Sequence, residues 1–311
     1  MGKIKMDRRK FLKQVALWSA GLIFSPPVFD VMDPAEAASE NMPEILTAKG
    51  TDLPVLVRRL MEALGGIQSF VKTGDKVVIK PNIGWDRTIE QGANTHPLIV
   101  SELVTLCLDA GASRVSVFDR TCNEERRCYQ NSGMAPALEK IKDKRFRLDY
   151  VDDRKFVPVI LKSGRVLKEW EFHRDALEAD CYINVPVAKH HGLSRVSLGL
   201  KNIMGVIGGR RGMLHYNLGP KLADLNTVIR PKLTLIDATR VIVKNGPQGG
   251  DLADVKILDT LIASKDPVAA DAYATTLFGL LPKDIEATVE AFQRGLGQMD
   301  LNQCRIRSLD A

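Results

Sequence analysis

The sequence has few cysteines and none of the spacings that build a compact metal site. Its five cysteines include no Cys-x-x-Cys pair, so neither a self-contained iron–sulfur cluster nor a structural zinc site is expected. Cys107 and Cys181 lie within apolar runs, which predicts that both pack in a core. Cys122 and Cys128 are near enough in the chain to pair in an oxidising compartment, and the sequence leaves the paired and the free state open.

Long apolar runs are also scarce. The run from Val15 to Phe24 is roughly half of the ~20 residues that cross a bilayer. It follows Arg8-Arg9-Lys10-Phe11-Leu12-Lys13 and precedes Ala35-Glu36-Ala37, an order typical of a twin-arginine signal peptide with a small-x-small cleavage site. We therefore expect residues 1–37 to be removed after Ala37, with an uncleaved anchor as the alternative. The mature protein is then soluble and periplasmic or otherwise extracytoplasmic, and the twin-arginine translocation machinery is its first partner.

The mature protein is expected to be only mildly basic. The formal net charge is +6 over the whole sequence, and residues 1–37 contribute six basic against four acidic residues to it. Aromatic residues make up 6% of the sequence and do not alternate with a basic stripe, so a nucleic-acid partner is not expected. A small anionic ligand remains compatible with this composition. The twin-arginine route carries folded proteins, which favours a cofactor-bearing or redox-linked role.

Short β-rich runs alternate with amphipathic stretches along residues 38–311, which predicts an α/β domain, of one unit or two subdomains. The predicted strands include Lys76 to Lys80, Arg114 to Phe118, Phe146 to Val151, Cys181 to Val185, Leu233 to Ile236 and Lys256 to Ala263. The predicted helices include Leu53 to Val71, Leu98 to Ala110, Ala135 to Lys142, Pro267 to Leu280 and Asp284 to Arg294. This order indicates a mostly parallel sheet covered by helices on both faces. The stretch from Val157 to Val166, bent at Ser163-Gly164, adds a small β-hairpin.

Polar side chains follow several of the predicted strands. Lys80 and Asn82 follow the first, Asp119 the second and Lys189 the Cys181 strand. Ligands of parallel α/β sheets bind beyond the carboxyl ends of the strands. The shared position of these residues therefore predicts a cleft that they line together.

The segment from Lys189 to His215 combines basic side chains with glycines. Glycines allow backbone amides to approach a ligand, and cationic side chains neutralise a bound anion. The segment includes Asn202 and Gly205, but it contains neither a Walker loop nor a dinucleotide fingerprint. It is interpreted as a phosphate or carboxylate site, with a solvated, flexible loop as the alternative.

Lys201 and three histidines are the chemically distinctive members of this segment. Lys201 ends the apolar run Val196 to Leu200, where a lysine is seldom placed without a partner or ligand. For His190, His191 and His215 a divalent metal is one option, although no helical His-x-x-x-His spacing supports it. An acid–base role for His191 or His215 is the preferred interpretation.

Two acidic residues near the carboxyl terminus differ in their expected roles. Asp266-Pro267 is interpreted as a helix start, with the aspartate as N-cap. Asp271 lies in an apolar helical stretch and is expected to require a buried partner such as a lysine or a metal. The loop from Lys244 to Gly250 is a turn by its composition, and whether Asn245 and Gly246 also contact ligand stays open.

These motifs together resemble the domain-of-unknown-function family numbered 362. The resemblance runs from Lys80-Pro81-Asn82 through Thr95-His96-Pro97, Lys189-x-His191, Lys201-Asn202, Gly205, His215, Asp237 and Asn245-Gly246-Pro247 to Asp266-Pro267-Val268-Ala269-x-Asp271. Some members of the family carry a ferredoxin-like extension that this chain lacks, so an iron–sulfur assignment is not transferred. Ser194, Ser197 and His190 stand where relatives usually have threonines. The resemblance supports the site residues as a set and implies no particular reaction.

The leading hypothesis is an exported enzyme that binds a small anionic substrate or cofactor in a cleft lined by lysine, histidine and aspartate. The alternatives are a non-catalytic periplasmic binding or maturation partner of a redox complex, and a purely structural role for these residues. The cofactor itself is not identified, and a divalent metal is one candidate. The candidate residues form a catalytic group, Lys201, His191, His215 and Asp271, and a cofactor-binding group, Lys80, Asn82, Lys189, Asn202, Gly205, Asn245 and Gly246.

Overall fold

A ten-stranded, mostly parallel sheet organises the chain. The computed structural model describes residues 42–309, and the predicted signal peptide lies outside these described residues. The strands are β1 Glu44–Lys49, β2 Lys76–Pro81, β3 Arg114–Val117, β4 Phe146–Leu148, β5 Phe156–Ile160, β6 Glu169–His173, β7 Cys181–Val185, β8 Val187–His191, β9 Arg195–Ser197, β10 Leu233–Ile242, β11 Val255–Ser264 and β12 Arg305–Leu309. The α-helices are α1 Leu53–Ala63, α2 Pro97–Asp109, α3 Glu125–Asn131, α4 Met134–Leu138, α5 Arg174–Leu177, α6 Gly199–Asn202, α7 Leu218–Leu225, α8 Pro267–Thr276 and α9 Glu286–Gln293.

The strand order is β12-β1-β11-β10-β7-β2-β3-β4. The strands from β10 to β4 are parallel neighbours, whereas β11 runs antiparallel to both β1 and β10. The long strand β10 pairs first with β7 and then with β8, which continues the chain beyond Pro186. Strand β9 folds back on β8 as a hairpin. This hairpin stands at the carboxyl ends of the parallel strands, where the polar residues also gather.

Helices and loops cover both faces of the sheet, as the sequence predicts. Successive strand residues point to opposite faces, and in β2 the side chains of Val77 and Ile79 join one apolar core while Val78 joins another. Helices α1 and α2 supply the first core through residues such as Leu60 and Leu103. Helix α7 contributes to the second core. The α/β fold with a mostly parallel sheet is therefore confirmed.

Helix starts follow the predicted capping chemistry, whereas several helix ends were predicted too late. The Asp266 carboxylate accepts hydrogen bonds from the amides of Val268 (2.8 Å) and Ala269 (2.9 Å), so α8 begins at Pro267 as expected. Helix α1 ends at Ala63 because Gly65 and Gly66 adopt positive φ values of 92° and 83°. The predicted helix Ala135 to Lys142 is present as the shorter α4, and α3, which precedes it, was not predicted.

The largest departure from the sequence analysis concerns the start of the Lys189 to His215 segment. The sequence analysis predicts no strand there and offers a solvated, flexible loop as the alternative to an anion site, but strands β8 and β9 form, and Lys189 is only 2% exposed. The hairpin bent near Ser163-Gly164 is present and longer than predicted, since β5 pairs with β6. No helix among residues 42–309 is long and apolar enough to cross a membrane.

Candidate active site

A cavity of about 530 Å³ opens at the carboxyl ends of the parallel strands. Its walls come from the β8–β9 hairpin, from α6, from the loop after β3 and from a 3-10 helix at Arg211–His215. Eight sequence-predicted site residues line it, namely Asn82, Lys189, His191, Lys201, Asn202, Gly205, His215 and Gly246. Three others, Lys80, Asn245 and Asp271, do not line this cavity.

Lys80 lies beneath the cavity floor in a buried ion pair. Its Nζ is 2.9 Å from Oδ1 of Asp119 and donates a 2.8 Å hydrogen bond to Oδ1 of Asn202. Both charged side chains are almost fully buried. Burial lowers the pKa of Lys80, and the adjacent Asp119 carboxylate acts in the opposite direction. Lys80 therefore organises the floor and does not present its charge to a ligand.

Lys189 is a buried lysine, and no carboxylate of residues 42–309 pairs with it. Its Nζ donates a 2.9 Å hydrogen bond to Oδ1 of Asn82 and a second one to the carbonyl of Ala93. Burial lowers its pKa to about 7. Asn82 is linked in turn to Oδ1 of Asn202 at 3.4 Å. Asn82 thus holds Lys189 beside the cavity, and Asn202 holds Lys80 below it.

Lys201 differs from both of these lysines. Among residues 42–309 its Nζ has no hydrogen-bond or ion-pair partner, and it faces the cavity. Burial lowers its pKa to about 8, with Arg211 adding to the effect and Cys122 opposing it. Arg211 and Cys122 line the same cavity as Lys201, so the Lys201 amino group lies near both of them.

Asp271 holds the turn that carries Lys201. Its Oδ1 accepts a hydrogen bond from the Gly199 amide at 2.7 Å, and its Oδ2 accepts one from the Leu200 amide at 2.8 Å. Burial nevertheless raises its pKa to about 7. The sequence analysis expected a lysine or metal partner, but the partner is the backbone of α6. Asp271 instead lines a neighbouring cavity of about 190 Å³.

His191 and His215 stack on each other at one wall. Their ring centroids are 5.6 Å apart and their planes are inclined by 11°. Nδ1 of His191 accepts hydrogen bonds from the amides of Leu193 (3.1 Å) and Ser194 (3.2 Å), so we assign its proton to Nε2. Burial and the charge of Lys201 lower its pKa to about 3. His191 is therefore a neutral imidazole that can donate from Nε2.

His215 has the opposite tautomer. Its Nδ1 lies 3.1 Å from the Gly212 carbonyl, which requires a proton on Nδ1 for a hydrogen bond. Burial and the neighbouring Lys201 lower its pKa. Neutral His215 consequently keeps the Nε2 lone pair available as a proton acceptor. The stacked pair thus combines one donor and one acceptor.

The two predicted glycines act mainly by making room. A Cβ on Gly205 would overlap the Lys80 and Asp119 side chains, so the glycine leaves space for the ion pair. A Cβ on Gly246 would overlap the His190 carbonyl, and the Gly246 amide donates to Nδ1 of His190 at 3.2 Å. Asn245 points away and donates to Asp254 at 2.8 Å.

Several cavity residues were missed or given another role. Arg211 donates to Sγ of Cys122 at 3.4 Å and to backbone carbonyls, including that of Met204 at 3.3 Å. Arg211 lies in the basic segment from Lys189 to His215, so the composition of that segment could have marked it as a cavity residue. Cys122 is exposed and Cys128 is buried, and both are free thiols. Trp85 also lines the cavity, although nothing in its sequence surroundings marks it.

The described residues do not form a ready metal cluster. Across residues 42–309 no group of three His, Cys, Asp or Glu side chains is arranged to hold a metal ion. His191 and His215 lie next to each other, and no third ligand of these types joins them in the described part of the chain. Their hydrogen bonds to backbone groups, described above, account for the Nδ1 atom of each ring.

Comparison with known proteins places the chain in a family. Residues 77–276 match the family model described as "Domain of unknown function (DUF362)", and the chain belongs to this family. A thylakoid-associated protein of Synechocystis is 26% identical over 255 residues, which cover 77% of this chain and 74% of that protein.

Two solved structures resemble the fold more distantly. A Thermotoga maritima protein has a TM-score of 0.46 at 12% identity, with 73% of this chain and 59% of that chain covered. The lactate racemase apoprotein of Thermoanaerobacterium thermosaccharolyticum has a TM-score of 0.44 at 12% identity, with 75% and 56% covered. The chain thus spans under two thirds of either structure.

Proposed function

We propose that this protein is an exported enzyme that binds a small carboxylate or phosphate compound in the 530 Å³ cavity and moves a proton on it. One observation carries the proposal. Lys189, Lys201 and Arg211 line the cavity together, and within residues 42–309 none of them forms an ion pair. Asp119, the acidic residue that the described part of the chain brings to this cavity, is already paired with Lys80.

Unpaired cationic groups that line one cavity favour the binding of an anion there. Like charges repel strongly where water is excluded, and burial penalises each of them further. The lowered pKa values of Lys189 and Lys201 express this cost. A bound carboxylate or phosphate relieves it, because the anion supplies the charge that the protein side chains lack.

The size and the remaining wall of the cavity indicate a ligand larger than an inorganic ion. Small-molecule sites usually enclose about 300–1,000 Å³, and this cavity lies within that range. Its apolar lining consists of Trp85, Pro186, Val187, Leu193, Leu198, Met204 and Pro247. We infer an anionic group attached to an apolar body.

The stacked histidines support proton transfer on this ligand. His191 offers a hydrogen bond from Nε2 and His215 offers a lone pair at Nε2, and both rings are neutral because burial lowers their pKa values. A positioned base such as His215 contributes about 10²–10⁴-fold to a proton-transfer step, and the hydrogen bond from His191 stabilises negative charge that develops on the ligand. Asn82 holds the Lys189 amino group by a hydrogen bond, and Asn202 is hydrogen-bonded to Asn82. Lys201 presents its charge to the ligand.

Calorimetric titration with 3-phenyllactate, an apolar carboxylate, tests the binding step. We expect saturable binding to the mature protein, weakened by about 10-fold or more in Lys201→Met and largely retained in Lys201→Arg. The uncharged analogue 3-phenylpropane-1,2-diol serves as the ligand control and should bind far more weakly. Equal binding of the diol and the acid would contradict an anion site.

Exchange of carbon-bound hydrogen in D₂O tests the catalytic step. Phenylpyruvate exchanges its C3 hydrogens through the enol, and nuclear magnetic resonance follows the rate. We expect the mature protein to accelerate exchange and His215→Gln to reduce that acceleration by about 10²-fold. Binding without any acceleration would favour the alternative, a non-catalytic binding or maturation partner of a periplasmic redox complex.

Export by the twin-arginine route is the remaining part of the proposal. It rests on the Arg8-Arg9 pair and the following apolar run. Replacing both arginines by lysine should retain the precursor in the cytoplasm, whereas a single substitution of Lys3 by arginine should not affect export. Amino-terminal sequencing of the exported form tests cleavage after Ala37.

A further inference from the structure

The three lysines at this end of the sheet differ in what their amino groups contact. Lys80 is fixed by Asp119 at 2.9 Å. Lys189 is fixed by the side chain of Asn82 at 2.9 Å and by a carbonyl. Lys201 is the lysine of this group whose Nζ has no protein acceptor among the described residues. A lysine without acceptors loses little when it gives up its proton, and its lone pair is then free to react.

We propose that Lys201 is a nucleophile that forms a Schiff base with a carbonyl compound bearing an anionic group, of the 2-oxo acid class. This inference rests on the proposed function, because Lys189 and Arg211 must first hold the anion. It changes the role of Lys201 from a permanent charge to a reacting amine.

The position of Lys201 is fixed by contacts remote from the cavity. Asp271 caps α6 through the Gly199 and Leu200 amides at 2.7 and 2.8 Å. The Asn226 side chain donates to the Leu200 carbonyl at 2.9 Å. The two residues directly before Lys201 are thereby anchored, which limits the backbone movement of the turn and presents the side chain to the cavity.

The surroundings favour the neutral amine. Burial and the Arg211 guanidinium lower the Lys201 pKa to about 8, so a substantial fraction is unprotonated in mildly alkaline solution. A desolvated lysine beside another cation is the usual arrangement for amine catalysis. His191 and His215 lie close enough for the charge of Lys201 to lower their own pKa values.

The proposed step is balanced without an oxidant or reductant. The Nζ lone pair attacks the carbonyl carbon, the carbon–nitrogen bond forms, and the carbonyl electron pair moves to oxygen. His215 can accept a proton from the attacking nitrogen at Nε2 and pass it to that oxygen, while His191 keeps its proton and stabilises the oxygen with a hydrogen bond from Nε2. Loss of water from the carbinolamine leaves the neutral imine, which takes up a proton from solvent. The product is the ligand joined to Lys201, plus one water molecule.

Borohydride trapping with phenylpyruvate tests the inference. The mature protein is incubated with phenylpyruvate, reduced with sodium borohydride and analysed by intact-mass measurement and peptide mapping. We expect one adduct equal to the ligand mass less one oxygen atom, located on Lys201. Phenyllactate, which has no ketone, should give no adduct and should protect against trapping when added in excess.

Variants make the result specific. Lys201→Arg keeps the charge and removes the nucleophile, so phenyllactate binding should persist while the adduct disappears. Lys221→Arg changes a lysine that does not line the cavity and should leave trapping unchanged. Because peptide mapping of the unaltered protein locates the adduct, the test does not depend on the folding of any variant.

The outcomes separate the two proposals. An adduct on Lys201 that phenyllactate suppresses supports the inference. Phenyllactate binding without an adduct, or an adduct located on other lysines, overturns the Schiff-base role and leaves the anion site in place. Absence of binding by both compounds overturns the proposed function and the inference with it.

Discussion

Asp271 and Lys201 are coupled through the four-residue helix α6 and not through direct contact. Asp271 binds the Gly199 and Leu200 amides at the start of α6, at 2.7 and 2.8 Å, and Lys201 is the next residue in the helix. An acid more than sixty residues away in the sequence thus fixes the backbone from which the cavity lysine extends. Removing either hydrogen bond would change both the free energy of unfolding and the direction in which the Lys201 side chain extends.

We predict that Asp271→Asn reduces stability and weakens ligand binding. The amide keeps one acceptor oxygen and places an NH₂ group against the second backbone amide, which leaves a buried donor unpaired and costs about 1–3 kcal/mol. Urea unfolding measures the first effect and phenyllactate titration the second. Asp266→Asn alters another aspartate that binds two helix amides, so it is the matched control and should change stability alone. If Asp271→Asn binds phenyllactate normally, α6 does not depend on this carboxylate for its position.

Removing one partner of the buried ion pair between Lys80 and Asp119 should lower the free energy of unfolding substantially. Asp119→Asn leaves the Lys80 ammonium without its counter-charge and should cost about 3–5 kcal/mol. Asp143→Asn breaks the more exposed pair with Arg145 and should cause a much smaller loss of stability, because solvent screens an exposed pair. Denaturant unfolding compares the two variants directly. Similar losses for both would show that the buried pair is not a specific stabilising contact.

Gly205 and Gly212 both line the cavity but should respond differently to alanine. A Cβ at Gly205 would overlap Asp119 and Lys80, whereas a Cβ at Gly212 would contact nothing within 4 Å. Overpacking at buried sites costs about 1–3 kcal/mol, so Gly205→Ala should lower the unfolding free energy by that amount. Gly212→Ala should leave it nearly unchanged. A tolerated Gly205→Ala would mean that the ion pair has space to move.

The affinity for phenyllactate should fall as the pH rises. The anion binds the protonated lysines, whose pKa values are about 7 for Lys189 and about 8 for Lys201, and bound anion raises both values by linkage. Affinity is therefore full below these pKa values and lost as the pH rises through them. Titration across this range measures the profile. Lys201→Arg stays charged throughout, so its profile should be flatter, and a wild-type profile without pH dependence would exclude both lysines as anion ligands.

The strands at the centre of the sheet were predictable because local pattern determines them. Cys181 to Val185 is a mostly apolar run, interrupted by Asn184 and buried throughout, and β7 has these bounds. The carboxyl-end rule then placed Asn82 and Lys189 at one site. Strand β8 was not predictable in the same way, since its Lys189, His190 and His191 read as a polar loop. Its pairing with β10 and β9 is a long-range contact that composition does not reveal.

The roles within the site were less predictable than its location. Whether a lysine after a strand faces the ligand or the floor depends on the strand pleat and on a partner such as Asp119, which follows a different strand. Asp271 was correctly expected to need a buried partner, but backbone amides of a distant turn cannot be inferred from sequence spacing. Trp85 and Cys122 enter the cavity from loops whose paths are set by tertiary contacts.

The place of β1 constrains how the amino terminus can be trimmed. Glu44–Lys49 is hydrogen-bonded on one side to β11 and on the other to β12, so it is the link between the final strand and the rest of the sheet. A protease that cut past Glu44 would expose two strand edges at once and detach the carboxyl-terminal strand from its neighbour. The proposed cleavage after Ala37 would stop short of this point, and the same sheet edge sets the limit for any shortened form that is to remain intact.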